Sequence, residues 1–287
     1  KRGPDAVTTS LLRGLKEIKY QYLCDPQLKE IKEGDTVFVN GSIKALKWAI
    51  AEKKRNKFKK LVAGPNLVVT PSDYNSIINS QEIDLILQPS KWVRDLYLSI
   101  NHNLSDKIKI WPAGVFLPPI GNNNKIRDSV LVYFKNCSNS NLLNDILNKL
   151  KQFFINTKVV TYGHFKQADY YQLLESAKFM IYISKSESQG IALQEAWARN
   201  IPTLVWNGGC WEFNDYKWCD PAISAPYLNN QTGVFFNDMK EFEIKIKVFL
   251  DRYDNFSPRD YTQNNLSDSK CAENFLNLLT NLFKKAV

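Results

Sequence analysis

The chain is short of the residues that most hydrolytic and metal chemistry requires. Its 287 residues include two histidines, His102 and His164. A histidine-based metal centre or a histidine-dependent hydrolase triad is therefore poorly supplied. No Gly-x-Ser-x-Gly stretch occurs to form a nucleophile elbow. Cysteine is sparse too: five residues, at 24, 137, 210, 219 and 271, an odd number without a Cys-x-x-Cys pair. That pattern fits reduced thiols better than a disulfide framework or a zinc site. No run of about 18 apolar residues offers a membrane span. The opening Lys-Arg-Gly-Pro-Asp has no apolar signal-peptide core. The expectation is a cytoplasmic protein with no metal site.

Hydrophobic residues make up 44% of the chain and aromatics 13%, enough for a sizeable core in one large or two ordinary domains. The net charge of +9, from 38 basic and 29 acidic residues, implies an anionic partner: nucleotide, phospholipid surface or nucleic acid. No strand interleaves stacking aromatics with Lys and Arg, so nucleic acid is not expected. Part of the charge is concentrated in Lys53 to Lys60, with six basic residues in eight. It suits peripheral association with an anionic membrane at its inner face. A solvated helix end before a buried strand is the simpler reading, and the favoured one.

The most informative stretch is 179–206. Phe179 to Ile183 and Ile201 to Val205 are short apolar runs of the buried parallel-strand kind. Between them Ser186 and Gln189 suggest a capping-box helix start, and Ile191, Leu193, Ala196 and Ala198 an apolar stripe. Strand, polar loop, helix and strand make a βαβ unit, with its ligand expected beyond the carboxyl end of the first strand. Gly190 permits close backbone approach, and the free amides of a helix start favour an anion such as a diphosphate. Glu187 in the loop and Glu195 two turns on flank that mouth. A structural reading also exists: Glu187 capping with Ser184, and Glu195 pairing with Arg199 at i,i+4.

Glu187-Ser-Gln-Gly-Ile-Ala-Leu-Gln-Glu195 resembles the donor-site motif of retaining glycosyltransferases of family 4, two glutamates separated by seven residues. The resemblance implies that Glu187 contacts the transferred sugar and Glu195 the nucleotide ribose. It implies an α/β GT-B fold, two Rossmann-like domains facing across a cleft. Ser188, Gln189, Gly190 and Ile191 then fall at the donor phosphates. Other stretches extend the likeness. Gly3-Pro4 resembles the amino-terminal glycine loop near those phosphates, with no strand ahead of it, so the first strand of that domain is expected to be missing. Gly64-Pro-Asn66 follows a strand where many family members carry a histidine, which leaves Asn66 as the polar candidate on the sugar side. Lys135 ends the apolar run Val130 to Phe134, where the family usually has an arginine and a lysine on the diphosphate. Tyr162-Gly163-His164-Phe165 matches the turn beneath the nucleotide base.

Further strands are expected at 20–23, 36–39, 61–63, 83–87, 108–111 and 158–161. Pro118-Pro119 and Gly121-Asn-Asn-Asn124 mark a linker. The expected domains are 1–117 on the acceptor side, 118–265 for the nucleotide sugar, and 266–287 as a helix crossing back. What the resemblance implies is a metal-independent retaining transferase, with Glu187 and Lys135 as its catalytic pair. It would need no cofactor, taking a UDP- or GDP-linked sugar as co-substrate and a glycan or lipid-linked glycan as acceptor. A GT-B nucleotide-sugar epimerase and a non-catalytic nucleotide-sugar-binding protein are the alternatives.

Overall fold

The computed structural model describes residues 3–119, 127–135, 140–153 and 156–284. The chain divides into two compact units, Lys1–Gly114 with Asp268–Val287, and Val115–Ser267. The first unit runs through α1 (Gly3–Glu17), β1 (Thr36–Val39), α2 (Ile43–Lys54), β2 (Lys60–Ala63), the single turn α3 (Asp73–Ser76), β3 (Leu85–Gln88), α4 (Lys91–Ile100) and β4 (Ile108–Ile110). The strands form one parallel sheet in the order β1-β2-β3-β4. Leu61, Val62, Ala63, Ile86 and Leu87 are fully buried, as expected of parallel strands covered on both faces. Ser42 starts α2 by accepting the Ala45 N–H at 3.2 Å, which satisfies one orphan donor of the first turn.

The last helix, from Asp268 to Lys284, belongs to this unit as well. Arg13 Nε donates to Asp268 at 2.6 Å, and the Trp111 indole N–H donates to the Cys271 carbonyl at 2.9 Å. Phe275 packs 5.0 Å from Phe38 and 5.3 Å from Trp111.

Two local expectations for this unit fail. Residues 20–23 form no strand; Tyr20, Tyr22 and Leu23 are exposed, and Asp25-Pro26 follows at once. The run is apolar but has no sheet neighbour to pair with. Gly3 is no turn ahead of a helix but the first residue of α1, and Pro4 sits in the first turn, where an amide hydrogen is not needed.

The second unit comprises β5 (Ser129–Lys135), α5 (Ser140–Leu150), β6 (Thr157–Thr161), α6 (Gln167–Ser176), β7 (Ala177–Ser184), α7 (Ile191–Trp197), β8 (Thr203–Asn207), β9 (Cys210–Phe213), β10 (Tyr216–Cys219), β11 (Gly233–Phe236), α8 (Met239–Asp251) and α9 (Pro258–Asn265), so the helix from Asp268 is α10. Five strands lie parallel in the order β11-β8-β7-β5-β6. Val130, Val132, Ile181 and Leu204 share a core with Ile146, Phe242, Ile246 and Phe249. From β5 the chain winds one way to β6 and the other way to β7, so β5 and β7 border the switch point where doubly wound sheets bind ligands.

The strands β9 and β10 stand apart as an antiparallel ribbon, and Cys210 is joined to Cys219 by a disulfide. The reduced-thiol expectation is therefore wrong for this pair. The two-residue turn Asn214-Asp215, with Asn214 at φ 50°, sets a register that brings the two cysteines face to face. Strand register, and not a Cys-x-x-Cys spacing, makes the pair. Cys24 is exposed and Cys271 buried, neither in a disulfide with another described cysteine; Cys137 lies outside the described residues, as do 120–126 of the expected linker.

Candidate functional site

The switch point of the second unit gathers most of the polar residues singled out in the sequence. Lys135 is the last residue of β5, and its register partner Ser184 is the last residue of β7. The loop after β7 then brings Glu187 back over these strand ends. The Lys135 ammonium reaches both Glu187 oxygens, at 2.8 and 2.9 Å. Oε1 of the same carboxylate also accepts from the Tyr182 hydroxyl at 2.7 Å and from Ser184 at 3.0 Å. Glu187 is 7% exposed. Burying a carboxylate is costly unless donors surround it, and here one cation and two hydroxyls supply them. The Lys135 ammonium also lies 4.9 Å from the Tyr162 ring centroid.

The expected capping box at Ser186 and Gln189 is not what starts the helix. The α7 helix begins at Ile191, and Gly190 precedes it in the left-handed region at φ 82°, ψ 50°. Glycine adopts that conformation without the strain a side chain would bring. Gln189 turns inward, and its amide donates to Gln194 Oε1 at 2.8 Å. Ser184, for its part, donates to the Glu187 side chain in place of the expected backbone cap.

One helical face further on, Glu195 is held by α6. Gln167 Nε2 donates to both of its oxygens at 3.0 Å, and Tyr171 donates to Oε1 at 2.7 Å. The Arg199 guanidinium does not form the expected side-chain pair; it donates to the Glu195 carbonyl at 3.0 Å and lies 4.2 Å from the Tyr171 ring centroid. Burial, and then the Glu195 charge, push Tyr171 up to about 12. Burial, then Glu187 and more weakly Glu195, raise Tyr133 well above the ordinary phenol value. Both glutamates thus act on one buried tyrosine, which stacks on Tyr182 at 4.8 Å between centroids.

The turn after β6 divides its aromatics. Tyr162 is 52% exposed beside Lys135, and His164 is exposed. Phe165 is packed inward, 5.9 Å from Tyr133 and 5.4 Å from Tyr170. Gly163 takes φ 84°, completing the turn. Ser188 is exposed and Ile191 half-buried.

Gly3 and Asn66 belong to the other unit. There Asn66 donates to Asn40 at 3.2 Å, and Asn40 donates to Thr8 of α1 at 3.0 Å, an uncharged relay beyond the ends of β1 and β2. Gln167, Tyr171 and Tyr182 were not identified from the sequence, and Ser184 was read there only as a capping partner of Glu187. Tyr182 and Ser184 carry a signal, being polar residues at the end of an otherwise apolar strand. Gln167 and Tyr171 carry none, since they meet Glu195 only through tertiary packing. Among the described residues no cluster of three or more His, Cys, Asp and Glu side chains is arranged to hold a metal ion. Nor is any helix among them long and apolar enough to cross a membrane.

Solved structures decide the architecture. With the GtfA/B complex the chain has a TM-score of 0.60 at 12% identity, over 89% of its own length and 59% of the other chain. This chain is the GT-B fold. The lipopolysaccharide outer core galactosyltransferase WaaB gives a TM-score of 0.57 at 14% identity, covering 96% of this chain and 79% of that one. UDP-GlcNAc 2-epimerase from Methanocaldococcus jannaschii gives 0.56 at 11% identity over 98% of both chains. No protein-family model matches the sequence, and no curated protein does. At these identities the likeness establishes two Rossmann-like units and leaves the chemistry to the site itself.

Proposed function

We propose that this chain is a retaining glycosyltransferase that takes its sugar from a UDP- or GDP-linked donor and needs no metal ion. The observation that carries the reading is the pair of glutamates, separated by seven residues, each fixed by hydrogen-bond donors around one switch point with Lys135 between the strand ends. The described fold neighbours include a galactosyltransferase and an enzyme named for a UDP-sugar, which supports the choice of donor class.

In this reading the donor diphosphate lies at the carboxyl ends of β5 and β7. Lys135 stabilises the charge that grows on the leaving phosphate, the electrostatic contribution that usually dominates such steps. The incoming diphosphate competes with Glu187 for the Lys135 ammonium. As Lys135 turns toward phosphate, Glu187 is released to accept from a sugar hydroxyl while positive charge develops at the anomeric carbon. Backbone amides of Ser188 to Ile191 line the phosphate path. Glu195, already oriented by Gln167 and Tyr171, accepts from the ribose hydroxyls, and Tyr162 faces the base with Gly163 and His164. The acceptor hydroxyl, on a glycan or lipid-linked glycan, attacks from the same face that the diphosphate leaves, and the phosphate takes its proton. Action at the inner face of an anionic membrane belongs to the same proposal.

The test is release of nucleoside diphosphate from a panel of UDP- and GDP-sugars in EDTA, with and without a cell extract as acceptor. Acceptor-dependent release with a retained anomeric configuration is the expected result. Strict dependence on Mg²⁺ or Mn²⁺ would replace the Lys135 assignment with a metal-carboxylate site. Interconversion of two nucleotide sugars without an acceptor would favour the epimerase alternative instead.

A further inference from the structure

Between β8 and β11 the chain makes a long excursion, and the β9–β10 ribbon is its outer part. Opposite positions pair Cys210 with Cys219, Trp211 with Trp218, Glu212 with Lys217, and Phe213 with Tyr216. One face of the ribbon therefore carries the disulfide and the Glu212–Lys217 pair, and the other carries four aromatic rings. Glu212 is gripped from two sides, by Lys185 at 2.7 Å and by Lys217 at 3.0 Å.

The root of this excursion is tied to the loop that carries Glu187. The Ile223 carbonyl accepts the Glu187 N–H at 2.8 Å. Ser224, fully buried, accepts the Gly208 N–H at 2.9 Å and donates to the Lys185 carbonyl at 3.1 Å. Gly208 itself lies so close that a Cβ there would stand 2.5 Å from the Lys185 carbonyl oxygen. Backbone, hydroxyl and ion pair thus hold Lys185 and Glu187 from one side. An isolated two-stranded ribbon is marginal in water, so the cross-link is what keeps this one formed.

We propose that the disulfide-closed ribbon and its root are a clamp that positions Glu187, and that reduction of Cys210–Cys219 loosens the clamp and slows turnover. The turnover part rests on the transferase reading; the loosening does not. Cys219 is exposed, so an external thiolate reaches the bond. A dithiol attacks one sulfur, forms a mixed disulfide, then closes on itself and leaves two protein thiols, passing two electrons and two protons to the pair. In a reducing cytosol disulfides are usually transient, catalytic or redox-sensing, and a clamp of this kind would be of the sensing type.

The experiment compares oxidised protein, protein reduced with dithiothreitol, the Cys210→Ser/Cys219→Ser double variant and Ser224→Ala. Amide hydrogen exchange, turnover and free UDP or GDP affinity are read on each. Reduction should speed exchange at the Glu187 amide by about tenfold or more while the amides of β7 keep their protection. Turnover should fall several-fold with free diphosphate affinity unchanged, a split that general destabilisation would not produce. The double variant should match the reduced protein and ignore dithiothreitol, and Ser224→Ala should loosen the same amide with the disulfide intact. Unchanged exchange at Glu187 after reduction overturns the clamp. Faster exchange with unchanged turnover overturns the positioning role. Faster exchange in a protein without transferase activity on any donor refutes the transferase reading and leaves the clamp standing.

Discussion

The two units share an architecture and differ in what stands beyond the carboxyl ends of their strands. In the first unit one set of ion pairs lies at the amino ends of β2 and β3, where Asp84 is met by Lys53 and Lys60 and Glu82 by Lys54, and another lies at the start of α4 after β3, where Asp95 is met by Lys91 and Arg94. Beyond the carboxyl ends of β1 and β2 stands the neutral relay of Asn66, Asn40 and Thr8. In the second unit Lys135, Glu187 and Glu195 gather at the carboxyl ends, around the switch point. Parallel sheets bind ligands at that end, so charge there is available to a substrate, whereas charge at the amino end serves the sheet itself. The basic run 53–60 illustrates this, since Lys53, Lys54, Arg55 and Lys60 all have acidic partners within the unit.

Removing charge at the two ends should therefore have different consequences. The largest effect is expected from Lys135→Ala, which takes away the cation facing the leaving diphosphate. Turnover should fall by about 10²–10³-fold, the usual loss for one oxyanion-type donor, and diphosphate affinity should drop with it. The fold should survive, because Glu187 keeps Tyr182 and Ser184 as donors. Normal diphosphate affinity in that variant would detach Lys135 from the phosphate.

The two glutamates come next, and they should part company. Glu187→Ala should leave the affinity for free UDP or GDP nearly intact and lower turnover by roughly tenfold to a few hundredfold. Glu195→Ala should instead weaken free nucleotide binding by about 1.5–3 kcal/mol, the range for hydrogen bonds to a charged group. Titration calorimetry with the free diphosphate, beside turnover on the folded fraction, separates them. Equal losses of affinity would erase the division between sugar and ribose.

The contrasting change in the first unit is Asp84→Ala. It strips the partner from Lys53 and Lys60 and the acceptor from the Leu61 N–H. Stability in urea should fall by about 1–3 kcal/mol, since the site is only partly buried. Nucleotide affinity per folded molecule should stay as it was. A large loss of affinity would mean that charge at the amino ends also serves the ligand, and the contrast between the units would fail.

Sequence and structure agree where a pattern is local and apolar. The runs at 130–134 and 179–183 fall within buried strands, and the run at 201–205 supplies the buried start of β8 from Thr203, because burial on both faces leaves little choice of residue. They diverge where one polar residue has competing partners. Ser186 and Gln189 read as a helix start, yet Gly190 takes that place and Gln189 turns to Gln194. The ribbon at 210–219 was open to reading: Asn214-Asp215 is a good two-residue turn, flanked by Trp211, Phe213, Tyr216 and Trp218 in alternation. The side-chain partners of Glu195 were not. Gln167 and Tyr171 stand 28 and 24 residues from Glu195, and only the packing of α6 on α7 brings them together.

The smallest expected effect concerns one of those partners. Tyr171 donates to Glu195 only while its phenol is protonated. Its folded value, about 12, lies above the ordinary 10.0, chiefly through burial and then through the Glu195 charge. A raised folded value means that the contribution to stability is complete below about pH 10 and disappears as pH rises from there through about 12. Ionisation would also set a phenolate against the Glu195 carboxylate and release that carboxylate from its donor. Tyr171→Phe should therefore lower nucleotide affinity at neutral pH by about 1 kcal/mol, one ordinary hydrogen bond, with Gln167 still holding the carboxylate. Between pH 10 and 11.5 the parent protein should begin to lose affinity toward the variant's level, while the variant shows no step of its own from this group. Absorbance near 295 nm, compared between parent and Tyr171→Phe, locates the titration. If the missing phenol titrates near 10.0 instead, Tyr171 is not held by Glu195 in solution. The orientation of Glu195 would then rest on Gln167 alone.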